Sequence, residues 1–339
     1  MKEIKEELKI LSGAVCAGAV RDAADEAARM LGRYAEVRRS DKNATVTAFL
    51  KGERDYTVLL DAHIDEVSLT VTDVDEEGFV TAAKCGGIDI RTLPASRVII
   101  HGREKVAGVF CSTPPHLSSG ETEYNDISKI KIDTALGEKA KEIISEGDMI
   151  TYDVLPAELL NDKVTGKSLD DRAGIVCLTE LARRLSGKKL PVSVAFAAVD
   201  AEELGLRGAR TAAYKVSPDE AIAIDVSFCV CPDVSETEGG VMGNGAMIGL
   251  SPVLDGEISR KLIKTAKENK IPYQKEVMGG RTSTDADVIS LTKGGVKTGL
   301  VSIPLKNMHT AAEIVDVKDI VSVCDIIEKY ILSGGALND

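Results

Sequence analysis

Residues 2–34 carry two stretches of helical spacing. In the second, Ala23, Ala27, Met30 and Leu31 recur at intervals that place them on one helix face, with Arg and Glu between them. Two strand-like runs follow, 45–50 and 56–60, and the second leads directly into Asp61-Ala62-His63-Ile64-Asp65-Glu66. The texture changes at about Ser68. Short apolar runs at 69–72, 79–83, 98–101, 106–110, 129–132 and 149–152 are separated by turn signals such as Asp75-Glu76-Glu77-Gly78. One helical piece, 136–145, interrupts them, and the polar stretch 118–126 reads as a surface loop. Many short strands with few helices predict a small β-rich domain or barrel.

From Asp162 onward helices and strands alternate. Helices are expected at 173–185, 206–214, 258–268 and 317–332, and strands at 192–199, 221–224 and 298–303. Such alternation predicts an α/β layer around a mostly buried sheet. The strands 45–60 need a sheet to join, and the later region supplies one. The resulting expectation is one α/β domain with a mixed sheet, residues 1–67 and 158–339, interrupted by a β-rich insert, residues 68–157.

Composition narrows the class. The chain has 339 residues, 44% hydrophobic and 28% charged, which fits a folded globular protein and not a disordered or coiled-coil one. No apolar run approaches ~18 residues, so no membrane span is expected. The charged start, Met1 to Leu8, lacks the apolar core of a signal peptide, and a cytoplasmic location is expected. A net charge of -12 argues against a nucleic-acid partner, which needs a basic footprint. Seven Cys, an odd number, argue against a disulfide framework. The four His, at 63, 101, 116 and 309, limit imidazole chemistry to few candidates.

Ligands of open α/β sheets bind at the carboxyl ends of strands, and the polar clusters of this chain sit there. His63 and Asp65 lie two apart after the strand 56–60, on one face of an extended backbone. Asp170-Asp171 precede an apolar helix, where one carboxylate serves as a cap and the other is spare. Glu202-Glu203 end an apolar strand, Asp225 lies within one, and His309 follows another. Taken singly, each has a bland reading: a structural His, a helix cap, solvated acids. Taken together, His63, Asp171, Glu203, Asp225 and His309 supply two imidazoles and three carboxylates from five loops. That donor set suits two divalent ions, zinc or cobalt, with manganese as a further option. Glu202 is left over as a base for a metal-activated water.

The motifs His63-Ile64-Asp65-Glu66-Val67, Leu169-Asp170-Asp171-Arg172-Ala173-Gly174, Glu202-Glu203-Leu204-Gly205-Leu206-Arg207-Gly208-Ala209, Ala223-Ile224-Asp225-Val226 and Met308-His309 occur in order. Together they resemble the tetrahedral (TET) or glutamyl aminopeptidases, a family of di-metal aminopeptidases in which some members carry the name cellulase or endoglucanase M. The resemblance spans essentially the whole chain, including Arg91-Thr92-Leu93-Pro94 and Pro114-Pro115-His116 of the insert and a substrate-side loop, Thr284-Asp285-Ala286. It implies a phosphorylase/hydrolase-like exopeptidase domain with an inserted β-barrel. His63 and Asp225 would hold one metal, Glu203 and His309 the other, and Asp171 would bridge. Asp65 would orient His63, and Glu202 would act as general base. The substrates would be peptides with a free N-terminus, and the assembly a dodecamer built from dimers through the insert.

This chain departs from the family pattern at Gly13–Ala19, at Ser68, at Ser227-Phe228-Cys229-Val230-Cys231 and at Lys306-Asn307. None of these removes a ligand or the base. Cys229 and Cys231 read as small buried residues, His101 and His116 as structural, and residues 239–245 as a loop near the substrate. The competing functions are a glycoside hydrolase, which needs two carboxyls and no metal, and a non-catalytic assembly protein on the same fold.

Overall fold

A computed structural model describes residues 1–338 except 115, 118–125, 233 and 236; most of the loop expected at 118–126, with Pro115, lies outside the described residues. The N-terminal region forms helices α1 (Lys2–Gly13) and α2 (Asp22–Leu31) and strands β1 (Glu36–Arg39), β2 (Val46–Leu50) and β3 (Thr57–His63). The next segment supplies β4 (Ser68–Val74), β5 (Val80–Cys85), β6 (Arg97–His101), β7 (Lys105–Phe110), β8 (Ile132–Asp133), the short helix α3 (Ala140–Ile143) and β9 (Met149–Tyr152). The chain continues through β10 (Ala157–Leu159), β11 (Lys163–Gly166), α4 (Leu169–Leu185), β12 (Ser193–Val199), α5 (Arg207–Val216) and β13 (Glu220–Phe228). It ends with β14 (Ala246–Leu250), α6 (Gly256–Glu268), β15 (Tyr273–Val277), α7 (Ala286–Ile289), β16 (Lys297–Lys306), β17 (Glu313–Asp316) and α8 (Val317–Leu332).

Among the described residues, eleven strands form one mixed sheet in the order β1-β2-β12-β3-β13-β16-β17-β11-β10, with β14 on β16 and β15 on β14. The central pairs β12–β3, β3–β13 and β13–β16 are parallel. Parallel strands are covered on both faces, which explains their near-continuous apolar runs. Ser193 to Val199 are all buried, as are Val58 to His63. Their register aligns Val199 with His63 and Asp225 with Ser302, so the polar motifs emerge side by side at the carboxyl edge.

Helix α4 lies at the centre of the molecule. Leu169 through Ala182 are all buried, because the helix packs against β3, β13, α1, α2 and α8. A helix apolar on nearly every side belongs inside a core rather than on its surface. The polar residues at its start are therefore buried as well.

Strands β4 to β9 close into a six-stranded barrel in the order β4-β5-β8-β7-β6-β9. Its own core includes Leu69, Val80, Ile100, Phe110, Ile132 and Ile150. Closure leaves no unpaired edge, and β7 alternates strictly between exposed and buried residues. The helix expected at 136–145 shrinks to a 3₁₀ turn, Gly137–Lys139, and the four residues of α3. Gly137 sits at φ +56° and Ile144 is already extended, so too few residues remain for helix cooperativity. The sheet is wider than its apolar pattern suggests. Strands β1 and β10 are almost wholly exposed and carry no apolar alternation. Among the described residues, no helix is long and apolar enough to cross a membrane.

Candidate metal centre

Four loops at the carboxyl edge converge on one carboxylate. Asp170 Oδ1 lies 2.9 Å from His63 Nε2, and Asp170 Oδ2 lies 3.2 Å from His309 Nε2. His309 Nε2 is also 3.1 Å from Glu203 Oε1, and His63 Nε2 is 4.0 Å from Asp225 Oδ1. The cluster thus has two halves, His63 with Asp225 and His309 with Glu203, and Asp170 spans them. One ligand atom each from His63, Asp170 and Glu203 lies within 4.8 Å of the other two.

The expectation that Asp171 occupies the spanning position is corrected by this geometry. Asp171 is fully buried and turned into the start of α4, where its Oδ1 accepts the N–H of Gly174 at 2.9 Å. A Cβ at Gly174 would lie 2.2 Å from Asp171 Oδ2, so the glycine makes room for this carboxylate. Asp171 is the cap and Asp170 the spare acid. The backbone at residues 168–171 decides between them: Ser168 is left-handed at φ +58°, and Asp170 and Asp171 are both outside the helical region.

Asp65 stands behind His63. Its Oδ1 is 3.5 Å from His63 Nδ1, and its two oxygens accept the N–H groups of Glu202 and Glu203 at 3.0 and 3.2 Å. Asp65 therefore fixes the Glu202-Glu203 turn beside His63. Glu313, which had no motif to mark it, braces the other half. Its Oε2 accepts Asp170 N–H at 3.1 Å and its Oε1 accepts His309 N–H at 2.8 Å. Ala201, Asn307 and His309 adopt positive φ near +60°. Such conformations in non-glycine residues cluster at functional sites.

Electrostatics set this cluster apart. Burial pushes Glu202 up to about 8, with His63 pulling down and Asp285 and Glu203 adding to the rise. Burial and the neighbouring Asp225 raise Asp171 well above the carboxylate range, and burial raises Asp225 likewise. Burial opposes the charged form of His309, but its hydrogen bonds to Asp170 and Glu203 win and lift it to about 11. Asp170 moves the other way: against burial, the two imidazoles hold it below the usual carboxylate range. Below the cluster, Asp61 and Asp285 are buried together. Burial lifts Asp61 to about 8 and Asp285 well above its ordinary value. Among the described residues, no Lys or Arg forms an ion pair with Asp170, Asp171, Asp225, Glu202 or Glu203.

The remaining candidates fall elsewhere. His101 Nε2 is 2.9 Å from Thr151 Oγ1 within the barrel, and His116 is exposed. Cys229 is buried, its thiol 3.6 Å from the Val230 carbonyl, and all seven cysteines are free. The glycine loop 239–245 is tied to α8, where Asp319 accepts the N–H groups of Gly243 and Gly245 at 2.7 Å. A cavity of about 710 Å³ is lined by Arg91, Phe228, Cys229, Cys231, Lys306 and Met308, among others, with no side chain of the cluster in its wall. The departures at 227–231 and 306–307 meet on its wall.

Comparison with known proteins agrees with this layout. A profile of the M42 glutamyl aminopeptidases matches residues 44–326. The chain belongs to the M42 family. M42 enzymes are metal-dependent, and the chain is accordingly an aminopeptidase, a peptide hydrolase. It is 29% identical over 288 residues to the lysyl aminopeptidase of Pyrococcus furiosus, covering 83% of this chain and 82% of that one. It is 28% identical to the glutamyl aminopeptidase of Lactococcus lactis, over 85% and 83% of the two chains. The TET1 peptidase of Pyrococcus horikoshii, described as assembling into a tetrahedron or a large octahedral shell, superposes with a TM-score of 0.86 at 29% identity. That superposition covers 97% of this chain and 99% of TET1. The M42 fold, a mixed sheet with a barrel inserted into it, is the architecture expected from the sequence.

Proposed function

We propose that this M42 chain removes N-terminal residues from peptides by hydrolysis at a two-metal centre. The observation that carries the reading is Asp170, whose two oxygens face two different imidazole nitrogens. His63 and Asp225 would hold one ion, His309 and Glu203 the other, and Asp170 would bridge. The residues fit such ions: the donors are imidazole nitrogen and carboxylate oxygen, His63 Nε2, His309 Nε2 and both Asp170 oxygens face one another, and among the described residues no Lys or Arg pairs with the acids. When bound, the ions supply Lewis acidity toward the scissile carbonyl and lower the pKa of water.

The chain's own residues supply the proton transfers. Glu202, partly exposed beside the cluster and not itself one of the proposed ligands, is suited to take a proton from the attacking water and give it to the leaving amine. Asp65 keeps Glu202 in place through its backbone and lies against His63. Residues 1–67 with 158–339 would form the catalytic domain. The barrel, residues 68–157, would help build a homo-oligomer of the kind TET1 forms.

The test is a matrix of metals and aminoacyl-anilide substrates on chelated protein. Chelation should abolish hydrolysis, and zinc, cobalt or manganese should restore it, with two ions per chain. Asp170→Asn should weaken both ions and lower activity by at least a hundredfold, whereas full activity in chelator would refute the metal reading.

A further inference from the structure

The barrel contributes directly to the cluster, through the turn that leaves β5. The carbonyl oxygen of Gly87 lies 3.1 Å from His309 Nδ1. A carbonyl only accepts, so Nδ1 must carry the proton, and Nε2 then faces Asp170 and Glu203 with its lone pair when the ring is neutral. The fit leaves no space for a side chain: a Cβ on Gly87 would lie 2.6 Å from Nδ1 and 2.9 Å from Cε1 of His309. The preceding Gly86, at φ +88°, brings the turn against Glu203 as well, where a Cβ would lie 3.3 Å from Oε2. The turn is anchored on both sides. Cys85 pairs with Ser68 in the barrel wall, and Ile88 is buried in the barrel core.

We propose that Gly87 is a positioning residue of the active site, and that the barrel fixes the tautomer and orientation of His309 through its carbonyl. The absence of a side chain at Gly87 is then a requirement of the cluster rather than of the turn. Gly87 is not among the residues with positive φ, so its backbone tolerates alanine. The inference rests on the two-metal reading, since it assigns Nε2 of His309 to an ion. Groups that orient a metal-bound histidine through its second nitrogen typically change metal affinity or activity 10- to 100-fold when lost.

The test compares wild type with Gly87→Ala, titrating zinc into chelated protein by calorimetry and following the histidine ring by ¹⁵N NMR. With four histidines in the chain, the ring signals can be assigned. Wild type should take two zinc ions, and His309 should show an exchange-protected Nδ1–H once loaded. In Gly87→Ala, one of the two ions should bind 10- to 100-fold more weakly, and excess zinc should recover part of kcat. Two ions bound equally well by both proteins, with the Nδ1–H intact in both, would overturn the inference alone. Fewer than two ions on wild type would overturn the two-metal reading and this inference with it. Should the variant not fold, zinc-loaded wild type decides: a protected Nδ1–H on His309 supports the inference, and its absence overturns it.

Discussion

Glu66 and His63 are three residues apart, and both reach the start of α4, yet they enter opposite electrostatic environments. The Glu66 carboxylate is buried against Lys167 Nζ at 2.5 Å, Ser168 Oγ at 2.7 Å, Cys16 N–H at 3.0 Å and Arg172 Nη2 at 3.4 Å. Burial opposes its charge, but Lys167 and Arg172 prevail and hold it below its ordinary value. In the cluster around Asp170, His63, Asp170 and Asp225 are buried while Glu203 and His309 are partly exposed, and it has acids but no Lys or Arg in ion-pair reach among the described residues. A buried charge is tolerated when it is paired. The Glu66 region carries its counter-charges in the chain and ties down residues 11–17, since Arg172 also donates to the Leu11 and Ala14 carbonyls. The Asp170 region has only its imidazoles to set against its acids, and that difference is the one the proposed metal centre requires.

The two regions should fail in different ways. Glu202→Gln should lower kcat by about 10²- to 10⁴-fold, the range for loss of a general acid–base, with both metal ions retained. Kinetics with metal analysis checks this, and a variant with wild-type kcat would remove Glu202 from the mechanism. Glu66→Gln should do the reverse. It leaves Lys167 and Arg172 buried without their partner, which typically costs about 3–5 kcal/mol of stability, while the metal count per folded chain stays at two. Denaturant unfolding reads the loss. A Glu66→Gln protein of normal stability that loses metal would erase the contrast.

The contrast also predicts opposite pH behaviour. In metal-free protein, Glu202 is raised from 4.5 to about 8 and His309 from 6.5 to about 11. For both, the folded state holds the proton more tightly than the unfolded state. Stability from these groups is complete below the lower value and is lost as pH rises toward the upper one. Glu66 has the other sign: its stabilisation is present above pH 4.5 and is lost as acid protonates it. The melting point of chelated protein should therefore fall between pH 5 and 9, and added zinc should flatten that fall. A chelated protein whose melting point rises over this range would contradict the electrostatics of the cluster.

The strand–helix alternation and the order of the strand-end motifs were legible because buried parallel strands and apolar helices leave periodic patterns. The identity of the spanning aspartate was not. Asp170 and Asp171 are chemically identical neighbours, and the choice depends on a non-helical backbone at 168–171 that has no apolar period. Glu313 was missed because it reaches Asp170 only through the pairing of β17 with β11 and β16. Gly87 was missed for a related reason. Nothing local marks a turn whose constraint is a histidine 222 residues away.

The smallest effect concerns the inverse of the Asp170 region, a cation with no acid. Lys306 lines the cavity walled by Phe228, Cys229 and Met308, and among the described residues no carboxylate pairs with it. Its neighbour Arg91 is bound to Asp89 at 2.7 Å, so Lys306 holds the cavity's uncompensated charge. A single ion pair near solvent is worth on the order of 1 kcal/mol, a factor of ten or less. Lys306→Ala should therefore raise KM for acidic N-terminal residues by up to tenfold relative to neutral ones. kcat and the two-ion stoichiometry should stay near wild type, because Lys306 touches neither His63, Asp170 nor Glu203. Steady-state kinetics on paired glutamyl and leucyl anilides measures the ratio. An unchanged ratio would mean that this cavity does not receive the substrate's first side chain, and a lost metal ion would mean that Lys306 belongs to the cluster after all.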